Sequence, residues 1–539
     1  MSERITASLS RIHTNIDQIL EITGCAGASV GVVHNHKIIW RDNFGHADVE
    51  ARSRPTSDTI YGIGSLTKGI VAGAIASLVA EGKLTSETPI KDILPSFSHH
   101  VEEVEKGLTV LDLLSHRSGL SGFAALGMAF AGDGEMLLDE DQLFTVFHDL
   151  PQDEPLRSSW NYLVWGYSLL GTVVAQVTER PLHECLDNTI FRPLGMHSTT
   201  VEILSFLDTA RVAKPYAALS NAQPFALPHR QRFEGTFFEA SGGVYSTVND
   251  MLAWSKELLT QVDETATQDK PEPRLPNLKD TMSNCITIDS SSGGSSNYAM
   301  GWVRTQLPAV VGLIGDACDV WEYEEENPIF STGPESRQLV YHQGATVGYY
   351  SCLFLFPETG TAVVVLTNTA ALGDAADWIA RITAEAVFPK PERTNYQELA
   401  RRYRDDHLQK YVDFQRQIDA GRDTSAQPQS LDVYVGRYHH GRLRYFIDIL
   451  RDSEHSDGLL LRFQGHELQT YQLRHYHHDV FEWSMSRDEA VRRGRYHCWD
   501  PAYFQMQFVA WSSGKSSELL WRIDCDAAAP EAFVREAVE

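Results

Sequence analysis

Residues 61–68 read Tyr61-Gly62-Ile63-Gly64-Ser65-Leu66-Thr67-Lys68, and they lead into Gly69-Ile70-Val71-Ala72-Gly73-Ala74-Ile75-Ala76-Ser77-Leu78-Val79-Ala80. The second run is apolar on every side and breaks at Glu81-Gly82, so it predicts a buried helix. Ser65 then falls at that helix's first turn, with Lys68 three residues on and on the same face. The first N–H groups of a helix have no partner inside it. A serine hydroxyl there has an amine in reach to take its proton and donors for a developing negative charge, the two needs of an acylating serine. The same residues also suit an ordinary helix cap beside a solvated lysine, so the four-residue pattern does not decide alone. Ser512 to Lys515 repeats it in a polar turn with no helix behind it.

The 539 residues exceed one compact core and predict two or three domains. A hydrophobic content of 42% with 22% charged residues suits a globular protein. The formal net charge is −26, from 72 acidic and 46 basic residues, and no basic block stands out, which argues against a nucleic-acid partner. Cys25, Cys185, Cys285, Cys318, Cys352, Cys498 and Cys525 show no Cys-x-x-Cys spacing, and reduced thiols are expected. Met1-Ser2-Glu3-Arg4-Ile5 opens no apolar signal core, no stretch reaches membrane-spanning length, and the common peroxisomal tripeptide is absent. The expectation is a cytoplasmic protein without a membrane segment.

Outward from the Ser65 helix, an amphipathic helix is predicted over residues 5–23. A hairpin follows from Ala28 to Val33 and Lys37 to Arg41, turning at His34-Asn35-His36. Gly27-Ala28-Ser29-Val30-Gly31 matches a Gly-x-Ser-x-Gly nucleophile pattern, but it leads into a strand where that elbow needs a helix. Residues 84–200 read as mainly helical, including Leu108 to Leu120, capped near Thr109 and stopped at Gly119, and Trp160 to Val177. Polar loops are expected at 260–280 and 286–297. Strands return at Met300 to Arg304, at 338–342, and in the hairpin Gly348 to Phe356 and Thr361 to Thr367, whose near-continuous apolar runs imply cover on both faces. A helix over Ala375 to Phe388 supplies one cover. The predicted fold class is α/β (α+β), an antiparallel sheet built from both ends of a 1–395 domain, flanked by helices, with a helical insertion at 84–200. Residues 396–430 read as a polar helical linker, and 431–539 as short alternating strands of a small β-barrel.

Taken together, Tyr61 to Lys68, Leu108 to Leu120, Trp160 to Gly171, Ile190 to Met196, Ser241 to Trp254, His342 to Gly348 and Phe356 to Asn368 resemble the serine β-lactamase and penicillin-binding-protein-like family. The branch resembled is that of class C β-lactamases and esterases. The tail from 431 resembles the lipocalin-like accessory domain that some members carry. The resemblance implies a DD-peptidase-like fold in which Ser65 is the nucleophile and Lys68 its partner. It implies that Tyr162 is the general base and later acid, and that His342-Gln343-Gly344-Ala345 is the third motif beside the site. The N–H groups of Ser65 and Ala345 would form the oxyanion hole.

The chemistry of the residues agrees. A serine hydroxyl needs a base during attack, and either a phenolate of Tyr162 stabilised by Lys68 or a desolvated, neutral Lys68 can serve. Three features depart from the family pattern. Val164 stands where Tyr-x-Asn is usual and cannot bond to a substrate amide. His342 stands where lysine is common and is mostly neutral at pH 7, which bears on recognition of a free carboxylate. No export signal is present. An ester or thioester substrate follows, with a small-molecule acyl donor and water or an alcohol as acceptor. In relatives with this profile the donor is at times an acyl-carrier domain of secondary-metabolite assembly. Trp160, Trp165, Tyr298, Trp302, Tyr349 and Tyr350 are candidates to line an apolar pocket, with Trp165, Tyr298 and Gly344 the expected substrate contacts. His439-His440, His99-His100 and His475 to Asp479 lack metal-site spacing, and no phosphate loop is present, so neither metal nor cofactor is expected. A D-residue-preferring peptidase or β-lactamase is the alternative, and a non-catalytic binding scaffold the third.

Overall fold

The turn at Asn35-His36, both residues with positive φ (49° and 59°), sets strand β1 (Gly27–His34) antiparallel to β2 (Lys37–Gly45). Two left-handed residues in sequence give the turn whose twist matches the strands it joins. The computed structural model describes all residues except 1, 206–210, 229–232, 234, 263–271, 284, 289–295, 316–327, 389, 391–392, 424, 454–457, 496–497, 513, 525–526, 528 and 538–539. Cys318, Cys525, and the centres of the polar stretches at 260–280 and 286–297 lie outside the described residues.

Further strands are β3 (Ile286–Ile288), β4 (Ser296–Tyr298), β5 (Val303–Leu307), β6 (Arg337–Thr346), β7 (Tyr349–Phe356) and β8 (Thr361–Thr367). They form one eight-stranded antiparallel sheet in the order β2-β1-β8-β7-β6-β5-β4-β3. Both ends of the 286–297 stretch, expected as loop, are thus strand. β7 and β8 are buried along almost their whole length, as their continuous apolar runs require. Val30, Val32, Phe354, Val363 and Val365 belong to one core with Trp378 and Ile379 of a helix at Ala375–Val387. On the opposite pleat, a Cβ on Gly31 would meet Leu252 and Val248 at 2.7 Å, so glycine there lets the helix Val248–Val262 lie close against the sheet.

The amphipathic N-terminal segment is two helices, α1 (Ser2–Ser10) and α2 (His13–Thr23), rather than one. The stretch after Ser65 is helix α3 (Thr67–Ala80), buried on nearly every side. Leu108 to Leu120 contains the shorter helix α4 (Val110–Leu114), capped as expected. Asp112 N–H donates to Thr109 Oγ1 at 3.3 Å and Thr109 N–H to Asp112 Oδ2 at 3.0 Å. It ends before Gly119 because His116 already takes the left-handed conformation, φ 56°. The helix expected from Trp160 begins only at Val164 (α5, Val164–Thr178), leaving Trp160 to Leu163 as an approach loop.

The chain packs as two compact units, Met1–Ser121 with Pro151–His407, and Gly122–Leu150 with Leu408–Glu539. This division differs from the expected 1–395, 396–430 and 431–539. Residues 396–421 form one continuous helix (Tyr396–Gly421) that buries Tyr396, Ala400 and Tyr403 in its first half and Phe414 and Ile418 in its second. Residues 122–150, expected within the helical insertion, pack with the C-terminal strands. Tyr471 hydroxyl and Arg493 Nε both donate to Asp133 at 2.6 Å, and Tyr445 hydroxyl donates to Met128 O at 3.2 Å.

The second unit holds a closed antiparallel barrel of eight strands, each paired with the next and the last with the first, from Gly436–His440 to Glu531–Arg535. Its interior is filled by rings. Phe463 stacks on Trp521 at 5.4 Å, and Trp483 lies 5.2 Å from Phe463 and 5.1 Å from Tyr471. Ser512 and Lys515, the second Ser-x-x-Lys, pair across a hairpin of this barrel.

Candidate active site

Gly64 takes φ 50° and opens a short 3-10 turn, Gly64–Leu66, that runs directly into α3. Ser65 is half-buried in that turn. Strand β6 presses against it. A Cβ on Gly344 would lie 2.1 Å from Ile63 O and 3.0 Å from Ser65 N, and one on Gly64 would lie 2.7 Å from Ala345 N. Only glycine permits this approach. Ser351 on β7 donates its hydroxyl to Ile63 O at 2.8 Å and fixes the turn from below. The backbones at Ser65 and at exposed Ala345 therefore lie side by side, as a pair of oxyanion donors would require.

Lys68 is buried, and its Nζ donates to Ser65 Oγ at 2.9 Å and to the carbonyl of Ser241 at 2.7 Å. Its backbone is clasped from outside by Gly301, φ 82°, where a Cβ would come within 2.9 Å of Gly69 N. Burial without a carboxylate partner draws the Lys68 ammonium down to about 7. Tyr162, on the loop before α5, lies near enough to the Ser65 side chain for that side chain to favour its ionisation, and its ring lies 5.0 Å from Lys68 Nζ. Desolvation outweighs the influence of Ser65 and holds the Tyr162 phenol above its ordinary value. Hydroxyl, amine and phenol thus come together from two separate parts of the first unit, the start of α3 and the loop before α5.

His342 is fully buried on β6 with both ring nitrogens engaged: Nδ1–H donates to Gln343 O, and Nε2 pairs with Tyr298 hydroxyl at 2.9 Å. Burial, then the charge of Lys68, pushes its pKa down to about 3, so the ring is neutral. It offers neither a cation nor a free donor to a substrate carboxylate. The two aromatic candidates for substrate contact are both wholly buried. Trp165 packs against Phe237 and Phe238, each at 5.0 Å, and Tyr298 sits among His116, Trp160, Tyr162 and His342. Trp302 is likewise buried, against Gly69, and Tyr349 donates to Ala213 O, whereas Trp160 and Tyr350 are half-buried.

Two groups beside the site escape a reading of local sequence. The carbonyl of Ser241 holds Lys68, and the ring of His116 lies 4.3 Å from that of Tyr162. Ser241-Gly242-Gly243 and Leu114-Ser115-His116 both lie in segments that carry the family resemblance, which was the available signal. Among the described residues no group of His, Cys, Asp and Glu side chains is placed to hold a metal ion, and no helix is long and apolar enough to cross a membrane.

Esterase EstB of Burkholderia gladioli is 26% identical to this chain over 395 residues, which cover 68% of this chain and 91% of the esterase. Penicillin-binding protein 4 of Amycolatopsis lactamdurans is 25% identical over 320 residues, 58% of this chain and 73% of that protein. The octameric penicillin-binding protein homologue from Pyrococcus abyssi shares the fold, with a TM-score of 0.57 at 20% identity over 98% of this chain and 99% of its own. Residues 421–535 match a domain of unknown function, DUF3471, and it is this, not a lipocalin family, that the barrel matches. Residues 12–386, well over half of the 539-residue chain, match the family described as Beta-lactamase, and the chain belongs to the β-lactamase and penicillin-binding-protein superfamily, whose serine-hydrolase fold suits an acyl-enzyme mechanism.

Proposed function

We propose that the chain is a serine hydrolase or acyltransferase that acts on a small ester or thioester through an acyl-Ser65 intermediate. The observation that carries this reading is the 2.9 Å contact between Ser65 Oγ and a buried Lys68 amine poised near neutrality. Lys68 serves as the initial base, because Tyr162 is held as a phenol. Ser65 Oγ attacks the acyl carbonyl and gives its proton to Lys68, while the Ser65 and Ala345 N–H groups face the oxyanion. The bond to the leaving oxygen or sulfur breaks as Tyr162 supplies its proton. Water or an alcohol then attacks the acyl-enzyme and gives its proton to Tyr162, and Ser65 Oγ departs with the proton held by Lys68. Atoms and charges return to the start.

The neutral, fully engaged His342 and the apolar Val164 support an uncharged ester or thioester over a peptide or a β-lactam carboxylate. The likeness to an esterase points the same way. The likeness to penicillin-binding proteins favours a second reading, a D-residue-selective peptidase or β-lactamase. Reduced Cys25, Cys185, Cys285, Cys352 and Cys498 suit a cytoplasmic site of action, where a role in secondary-metabolite acyl transfer would be exercised.

The test is exposure to a fluorophosphonate and to a panel of activated esters and acyl thioesters, with the adduct mapped by mass spectrometry and products followed with added alcohols. An acyl adduct on Ser65 that clears to acid or to ester is expected. Rapid nitrocefin or D-amino-acid amide turnover would favour the second reading, and no adduct on folded protein would overturn both.

A further inference from the structure

His116 closes the short helix α4 in a left-handed conformation, φ 56°, where glycine or asparagine would be less strained. A strained residue that is kept for its side chain invites the question of what the side chain holds. The answer lies in the approach loop. Asn161 N–H donates to the His116 carbonyl at 2.9 Å, and Leu163 N–H donates to His116 Nδ1 at 3.1 Å. These are the two residues on either side of Tyr162. The His116 ring, itself wholly buried, lies against the Tyr162 ring at 4.3 Å. Asn161 Nδ2 also donates to Leu120 O at 3.1 Å, just beyond the same turn.

We propose that His116 is a positioning residue that clamps the approach loop on both sides of Tyr162 and so holds the phenol hydroxyl at Ser65. The proposal rests on the acyl-transfer reading for its kinetic consequences, though not for its geometry. Tyr162 needs such a device because it lies before α5 rather than within it, where helix hydrogen bonds would have fixed its backbone. Because Nδ1 accepts from Leu163, the ring proton sits on Nε2 and the ring is neutral. Burial, then the nearby Lys68, keeps it so. Asparagine can replace this clamp: its amide oxygen reaches the Nδ1 position, and it tolerates positive φ. Alanine cannot.

The experiment is a double-mutant cycle on the full chain, with His116→Ala, His116→Asn, Tyr162→Phe and His116→Ala/Tyr162→Phe. It measures the rate of Ser65 acylation, KM and kcat separately, and crystal structures of the two single His116 variants. His116→Ala is expected to slow acylation about as much as Tyr162→Phe, on the order of a hundredfold, through kcat with little change in KM. The double variant is expected to be no slower than Tyr162→Phe alone, since both remove the same function. His116→Asn is expected to restore the rate to within about fivefold of the unmodified protein. His116→Gly, which suits the backbone at 56°, replaces the alanine variant if that fails to fold. Losses that multiply, or a Tyr162 hydroxyl that stays on Ser65 in the alanine or glycine variant, would overturn the proposal. If the unmodified protein takes no acyl group at all, the acyl-transfer reading fails, and the position of Tyr162 in those crystals still decides the role of His116.

Discussion

Tyr298 and His342 meet at 2.9 Å in the wall behind Tyr162, the hydroxyl of one against Nε2 of the other. In this arrangement the histidine has both nitrogens engaged by the protein and stays uncharged. Tyr298→Phe should leave a buried nitrogen acceptor unpaired and cost roughly 1–3 kcal/mol of stability, read in a denaturant titration. Its effect on turnover of uncharged esters should stay within about tenfold, because no contact to substrate is lost. A greater loss would put Tyr298 among the substrate contacts after all.

The second prediction concerns pH. With Lys68 at about 7, acylation should rise with pH through that value as the amine becomes free. Lys68→Arg keeps a charge but no base at neutral pH, and should lower acylation by at least about a thousandfold. Stability carries the opposite signature to a salt-bridged lysine. The unfolded chain keeps this proton up to the ordinary value of 10.5, and the folded chain releases it near 7. The burden on folding is thus full below pH 7 and fades as pH rises toward 10.5. Lys68→Met should raise the melting temperature relative to the unmodified protein more at pH 6 than at pH 9.

Ser65→Ala should abolish the covalent adduct with the melting temperature nearly unchanged, because the half-buried hydroxyl contributes one hydrogen bond from Lys68. Tyr162→Phe should retain slow labelling, reduced on the order of a hundredfold, since Lys68 remains as base. Equal labelling of Tyr162→Phe and unmodified protein would remove Tyr162 from the reaction.

Gly344→Ala should damage both fold and site. The added methyl would fall 2.1 Å from Ile63 O and 2.5 Å from Ser351 Oγ, so β6 must move off the Ser65 turn. A loss of roughly 1–3 kcal/mol in stability is expected, with acylation falling at least about a hundredfold as the two donor backbones separate. Unfolding midpoints and fluorophosphonate labelling rates check the two parts.

Much of the sheet was legible because its signals are local. The β7–β8 hairpin announces itself by two apolar runs around Pro357-Glu358-Thr359-Gly360, and α3 by an unbroken apolar stretch behind Ser65. Boundaries moved where a side chain outweighed the pattern. Leu108 to Leu120 stops at His116 and not at Gly119, and the run from Trp160 looks helical by composition although Trp160 to Leu163 is held as loop by bonds to His116. Residues 122–150 carry helical patterning like their neighbours, yet Asp133 and Met128 bond to Tyr471 and Tyr445, met far along the chain, which no window of sequence can contain.

By itself the sequence determined the order of the motifs and the placing of Ser65 and Lys68 on one face of one helix start, because neighbours three apart are fixed by helix geometry alone. Only the tertiary structure decided that Lys68 is poised near neutrality, that Tyr162 comes beside Ser65 and Lys68, and that His342 is uncharged with both ring nitrogens engaged by the protein. These depend on desolvation and on distances across a packed seam, and both arise only when remote segments exclude water together.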